Sequence, residues 1–123
     1  KIDPDNSYVL NNYAYYLSVR KMYLEKAEKY SRRSNEIAPN NRSYIDTYGW
    51  ILYQLGKYSE AEIWLGRAAK MGAKNPVILE HYGDVLFKLN KVEEALYYWK
   101  EAKANGKDSE LLDKKITDKK LYE

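Results

Sequence analysis

Apolar and small residues return along this chain every three to four positions with charged residues between them, the period of a helix packed on one side. No stretch alternates two by two for long enough to make a strand. From Ser7 to Val19 the apolar positions are Val9, Leu10, Tyr13, Ala14, Tyr16 and Leu17. A second helix is expected from Leu24 to Ala38, with Leu24, Ala27, Tyr30 and Ile37 on its stripe. Pro39 disfavours helical geometry at Ala38 and so stops it. A third runs from Ser43 to Leu55 and closes at Gly56, which can take the left-handed conformation. The fourth, Ser59 to Met71, opens on a Ser59/Glu62 capping box and ends at Gly72. The fifth starts at Pro76 and reaches Leu89, followed by a sixth from Val92 to Asn105, with Asn90 in the turn. A last helix, Ser109 to Lys120, takes Asp108 as its cap. The pattern predicts an all-α chain with short turns and antiparallel neighbours.

The small residues carry a second, longer period. Gly49, Ala61 and Ala68 are each followed 34 positions later by Gly83, Ala95 and Ala102. Ala14, Ala27, Ser34 and Pro39 continue the series backwards at spacings of 34 or 35. Helix axes approach to about 8–10 Å only where side chains at the crossing are small, so these positions mark helix crossings. The chain divides into repeats at 7–41, 42–75 and 76–107, with a capping helix in 108–123 whose Leu111, Leu112, Ile116 and Leu121 cover the last hairpin. Pro4 precedes Pro39 by 35 residues, so residues 1–6 read as the tail of a truncated upstream repeat. The missing initiator methionine points the same way. A stacked array of this period offers a surface instead of an enclosed pocket.

Charge and composition narrow the chemistry. The 21 basic and 18 acidic residues are interspersed and leave a net charge of only +3, unlike the concentrated basic stripe of a nucleic-acid binder. The densest run, Arg20 to Arg33, is interrupted by Glu25 and Glu28 at helical spacing. There is no cysteine, which excludes disulfides and thiolate chemistry. No run is apolar for long enough to span a membrane, and the first residues do not form a signal peptide. The 14 tyrosines against 1 phenylalanine suit thin layers whose packed rings keep a wet hydroxyl.

On these residues the chain resembles the tetratricopeptide repeats. The family's order of small residue, turn glycine, alanine, large residue and small residue is met by Gly49, Gly56, Ala61, Leu65 and Ala68, with Ala73 in place of a proline. Gly83, Ala95, Trp99 and Ala102 repeat it, with Asn90 and Lys107 as departures. Ala14, Ala27, Ser34 and Pro39 keep it in the first unit, where the turn from Arg20 to Tyr23 is one residue longer and lacks glycine. The resemblance implies a superhelical array of about three hairpins whose first helices line a concave face. It also implies a non-catalytic module that binds a peptide or protein segment as part of a larger multi-repeat protein. The contact positions it implies are Asn11, Asn12, Tyr15, Asp46, Trp50, Tyr53, Glu80, His81 and Asp84. The stretches from Leu10 and from Ile45 are similar to C-terminal repeats of large bacterial members, several exported to the cell envelope; compartment, envelope or cytoplasm, is left open.

With Asp46, Glu80 and Asp84 against Lys88, such a groove is expected to be aromatic and mildly acidic. A C-terminal carboxylate would meet like charge there, so the expected partner is a segment with basic or aromatic side chains and backbone amides for Asn11 and Asn12. His81 is the lone histidine beside Glu80 and Asp84, too few nitrogen ligands for zinc, and neither acid has an evident means of desolvation. No phosphate loop or nucleophile motif is present, and no cofactor, metal or catalytic residue is expected. Tyr97 and Tyr98 are expected on the sides of an outer helix, with Trp99 packed. The competing reading is a spacer or self-assembly unit that stacks through its terminal helices.

Overall fold

The computed structural model describes residues 5–123, so the expected tail of an upstream repeat falls largely outside the described residues. Among the described residues seven helices follow one another: α1 (Ser7–Val19), α2 (Leu24–Ile37), α3 (Arg42–Gln54), α4 (Tyr58–Ala69), α5 (Pro76–Lys88), α6 (Val92–Ala104) and α7 (Glu110–Asp118). They form two compact units, one ending at Trp64 and one from Leu65 to Glu123, with the division inside α4.

Helix starts recur with the repeat. Asn6 accepts from the Val9 amide at 3.0 Å, Asn41 from that of Tyr44 at 3.1 Å, and Asn75 from those of Val77 and Ile78 at 3.0 and 3.1 Å. Each satisfies donors that an isolated helix leaves open. Ser109 stands 34 residues beyond Asn75 and accepts from the Leu112 amide at 3.1 Å. The cap of α7 is therefore Ser109, not Asp108, and by register α7 starts a fourth unit. The expected capping box also shifts, because α4 begins at Tyr58 and places Ser59 inside its first turn.

The turns share one design. At Gly56 (φ 80°) the Lys57 amide reaches back to the Leu52 carbonyl and the Gly56 amide to that of Tyr53. Asn90 (φ 64°) does the same at the next turn, through Lys91 to Leu86 and Asn90 to Phe87. In the first hairpin Lys21, 35 residues before Gly56, takes φ 54°, with Met22 bonded to Leu17 and Lys21 to Ser18. A lysine thus holds the left-handed position that glycine fills elsewhere, and the extra residue puts Tyr23 there as well, at φ 51°.

Unit one buries Ala14, Leu17, Ala27 and Ile51 together, with Tyr13, Tyr30 and Leu55 packed against them. Ser34 donates to the Ser7 carbonyl at 2.9 Å, and Asn35 to those of Ser31 and Tyr44 at 2.9 and 3.0 Å. In unit two Leu79, Val85, Leu86, Ala95, Trp99, Ala102 and Leu112 are buried. On the last helix Leu112 is fully buried, whereas Leu111 is exposed.

Each hairpin also contains an edge-to-face aromatic pair in one register. Tyr13 meets Tyr30 at 5.3 Å, Tyr48 meets Trp64 at 4.6 Å, and Tyr82 meets Tyr98 at 4.6 Å. Such pairs add about 0.5–1.5 kcal/mol beyond the area they bury. They take up five of the 14 tyrosines. Tyr98 is therefore part of the packing, while Tyr97 is exposed as expected.

Candidate functional site

The nine candidate positions separate into three environments. In unit one, α1 packs beside α3, and Asn12 and Tyr15 are exposed while Asp46 and Trp50 are half-buried. Tyr53 is buried. It forms a shelf on which Trp50 stacks, with ring centroids 4.5 Å apart and planes 8° from parallel. The Gln54 amide joins the two helices by donating to the Ser18 carbonyl at 3.0 Å and accepting from Trp50 Nε1 at 2.8 Å. Trp50 is thereby fixed in orientation with one ring face held against Tyr53. Asn11 is buried, and its Oδ1 has no hydrogen-bond partner.

Unit two departs from the expected open acidic face. Glu80 and Asp84 are 8% and 5% exposed, because α7 lays Lys115 across them. Lys115 Nζ donates to Glu80 Oε2 at 2.7 Å and to Asp84 Oδ1 at 2.9 Å, and is itself 3% exposed. Trp99 Nε1 donates to the same Asp84 oxygen at 2.9 Å, and Lys107 lies 3.3 Å from Glu80 Oε1. Two cations and an indole N–H therefore occupy the two carboxylates, and neither acid is available to an incoming ligand. His81, half-buried on the same helix, adds its charge interaction to Asp84. Among the described residues no group of three or more His, Cys, Asp or Glu is placed to hold a metal ion.

The electrostatics follow from burial. Burial pushes the Asp84 carboxyl up to about 6, against the opposing pull of Lys115. Burial also acts to raise Glu80, but Lys115 and Lys107 overcome it and hold that carboxyl below the ordinary range. The folded state thus holds the Asp84 proton more tightly than the unfolded chain, where aspartate titrates near 3.9. Stability should therefore rise by about 1 kcal/mol as the pH falls from 7 to 5. Below the unfolded glutamate value, near 4.3, the lowered Glu80 reverses the trend, since its stabilisation is lost as it protonates. Urea unfolding across this range checks the sign, and Asp84→Asn, which keeps an acceptor for Trp99, should flatten the rise between pH 7 and 5.

Unit one has a smaller counterpart. Glu28 accepts from Tyr48 Oη at 2.7 Å and from Arg32 at 2.9 and 3.1 Å. Burial acts to raise the Glu28 carboxyl, yet these bonds hold it low, while burial and the Glu28 charge push the Tyr48 phenol up to about 12. Arg32 with Glu28 is one of the helical-spacing pairs expected within the basic run.

Helical hairpins with shared cap, turn and aromatic registers define the repeat, and residues 20–102 match the family model described as anaphase-promoting complex, cyclosome, subunit 3. That match takes in 83 of the 123 residues. The chain belongs to this family of tetratricopeptide repeats. The TPR repeat-containing protein PA4667 of Pseudomonas aeruginosa is 32% identical over 66 residues, 54% of this chain and 11% of that protein. The matched part thus spans about a tenth of that relative's length. Among solved structures the chain is similar to YrrB, described as a TPR protein with an unusual peptide-binding site, with a TM-score of 0.73 at 23% identity over 85% of this chain and 53% of that one. It is likewise similar to PilF of Pseudomonas aeruginosa, with a TM-score of 0.75 at 21% identity over 94% and 54%. At these identities the two structures bear on fold alone. The TPR array is a protein-interaction fold, generally non-catalytic, and among the described residues no helix is long and apolar enough to cross a membrane.

Proposed function

We propose that this TPR module binds an extended protein segment along the α1–α3 face of unit one. The observation that supports this most is the buried, unpartnered Oδ1 of Asn11 beside the exposed Asn12 and Tyr15. A buried acceptor left without a donor costs about 1–3 kcal/mol, and a backbone N–H from a bound segment removes that cost. The half-buried Trp50 stack and Tyr15 supply the large, rigid contact area that interfaces favour. Asp46 adds one acid, so the segment is read as aromatic with at most one basic residue nearby. That is less basic than the sequence implied, because Glu80 and Asp84 are neutralised within the fold. The YrrB description, which names a peptide-binding site, supports the same class of partner.

Tyr15→Ala with Asp46→Lys tests this while leaving the buried residues and the Trp50 stack in place. Peptides selected from a displayed random 12-mer library on the native protein should bind the double variant at least about tenfold more weakly, as loss of one anchor and one charge implies. Circular dichroism should be unchanged. Selected peptides that bind both proteins equally would place the binding surface elsewhere.

A further inference from the structure

The turn between α6 and α7 carries covalent chemistry that the repeat pattern does not require. Asn105 and Gly106 are the only asparagine and glycine adjacent in that order in the sequence. Both are exposed, and Gly106 stands in open space at φ 110°. Glycine has no Cβ to obstruct its own amide nitrogen. At the other left-handed glycines, Gly56 and Gly72, the preceding residues are Leu55 and Met71, whose side chains offer no carbonyl to attack.

Two hydrogen bonds hold the pair in an unreactive arrangement. Asn105 Nδ2 donates to the Glu101 carbonyl at 2.8 Å, and the Gly106 amide donates to that of Lys103 at 3.2 Å. The Asn105 ψ of 17° turns the Gly106 nitrogen away from the carboxamide carbon. Reaction therefore waits for the last turn of α6 to open, which an exposed helix end does far more often than the whole chain unfolds.

We propose that Asn105 and Gly106 form a site of spontaneous self-modification whose product loosens α7. In the opened turn the Gly106 nitrogen attacks Asn105 Cγ and the bond from Cγ to Nδ2 breaks. Ammonia leaves, carrying the proton lost from the Gly106 amide, and a five-membered succinimide ring closes. Water, the only co-reactant, then adds to one of the two ring carbonyls and opens the ring as aspartate or as isoaspartate. Either product lacks the Nδ2 donor to Glu101 and places a negative charge at the C-terminal end of α6, where the helix dipole disfavours it. Isoaspartate also carries the main chain through its β-carbon and lengthens the turn by a methylene.

Lys107 follows directly. Its amide bonds to the Ala102 carbonyl at 3.0 Å, and its ammonium lies 3.3 Å from Glu80 Oε1. Beyond it α7 brings Lys115 to Glu80 and Asp84 at 2.7 and 2.9 Å. A lengthened turn moves both cations relative to the two acids, and refolding does not reverse the change. The inference lies within unit two and does not rest on the proposed binding face.

The test incubates the native chain at mildly alkaline pH and physiological temperature and follows it by peptide mapping with mass spectrometry. Asn105 should gain the mass of an amide-to-acid change ahead of every other asparagine, with isoaspartate as the main product. Asn105→Gln keeps the amide donor but would need a six-membered ring, so it should gain nothing at that position. Urea at unfolding concentration should speed conversion, because it removes both restraining bonds. The converted protein should melt about 2–5 °C below fresh protein, as a lost cap donor and an opposed helix dipole imply, with Asn105→Gln unchanged by the same incubation. Amides of α7 should exchange with solvent faster in the converted protein. Conversion that occurs only in urea, or converted protein whose midpoint and α7 exchange match those of fresh protein, overturns the proposal.

Discussion

Lys115→Met is expected to destabilise the protein by about 3–5 kcal/mol, the size of effect seen when one partner of a buried ion pair is removed. The methionine keeps much of the side-chain volume, so packing loss is small. What remains is a pair of carboxylates, Glu80 and Asp84, enclosed between α5 and α7 without the cation that bridges them, leaving Lys107, the Trp99 indole and the more distant His81 to answer them. Both must then protonate, or α7 must lift away and admit water. Urea unfolding followed by tryptophan fluorescence measures the loss. Adding Glu80→Gln and Asp84→Asn to Lys115→Met should recover most of it, since an uncharged cluster of similar shape escapes the desolvation cost. If Lys115→Met changes stability by less than about 1 kcal/mol, the span expected of an exposed ion pair, the buried network does not hold α7.

Gly83→Ala should destabilise by about 2–4 kcal/mol, although in an exposed helix the same change stabilises by about 1 kcal/mol. A Cβ built at Gly83 would lie 2.5 Å from Trp99 Cδ1, 2.6 Å from Nε1 and 3.2 Å from the Ala95 carbonyl oxygen. Trp99 is fully buried. Its indole must shift, and the bond from Nε1 to Asp84 is lost with the shift. Denaturant unfolding gives the free energy, and a change in the Trp99 near-ultraviolet signal identifies the cause. Gly83→Ser should behave similarly, because the obstacle is the first side-chain carbon.

Most of the fold was readable from the sequence because its determinants are local or periodic. The helical stripes, the left-handed residues at Gly56 and Asn90 and the small residues 34 apart each act within a turn or at a fixed register. The same register carries the caps at Asn6, Asn41, Asn75 and Ser109. The acidic face at Glu80 and Asp84 was misread for a different reason. Whether a carboxylate is open depends on what lies across it, and the covering group, Lys115, comes from 31 and 35 residues away on a helix whose sequence signal is its apolar stripe. Tyr53 was misjudged in the same way. Its position on the first helix of a hairpin implied exposure, yet Trp50 lies over it.

The reach of Lys115 across one repeat gives the array a reading direction. The first hairpin, whose Glu28 is paired with Arg32 of the same helix, does not take its ion-pair partner from the unit after it. The third hairpin does, since its two buried acids are tolerable only when the next helix supplies a cation in the right place. The hairpins are therefore not interchangeable parts. Moving the third hairpin to the front, or grafting it before a helix without that lysine, would produce a mismatched junction, so the order of the units is written into their charges as well as their shapes.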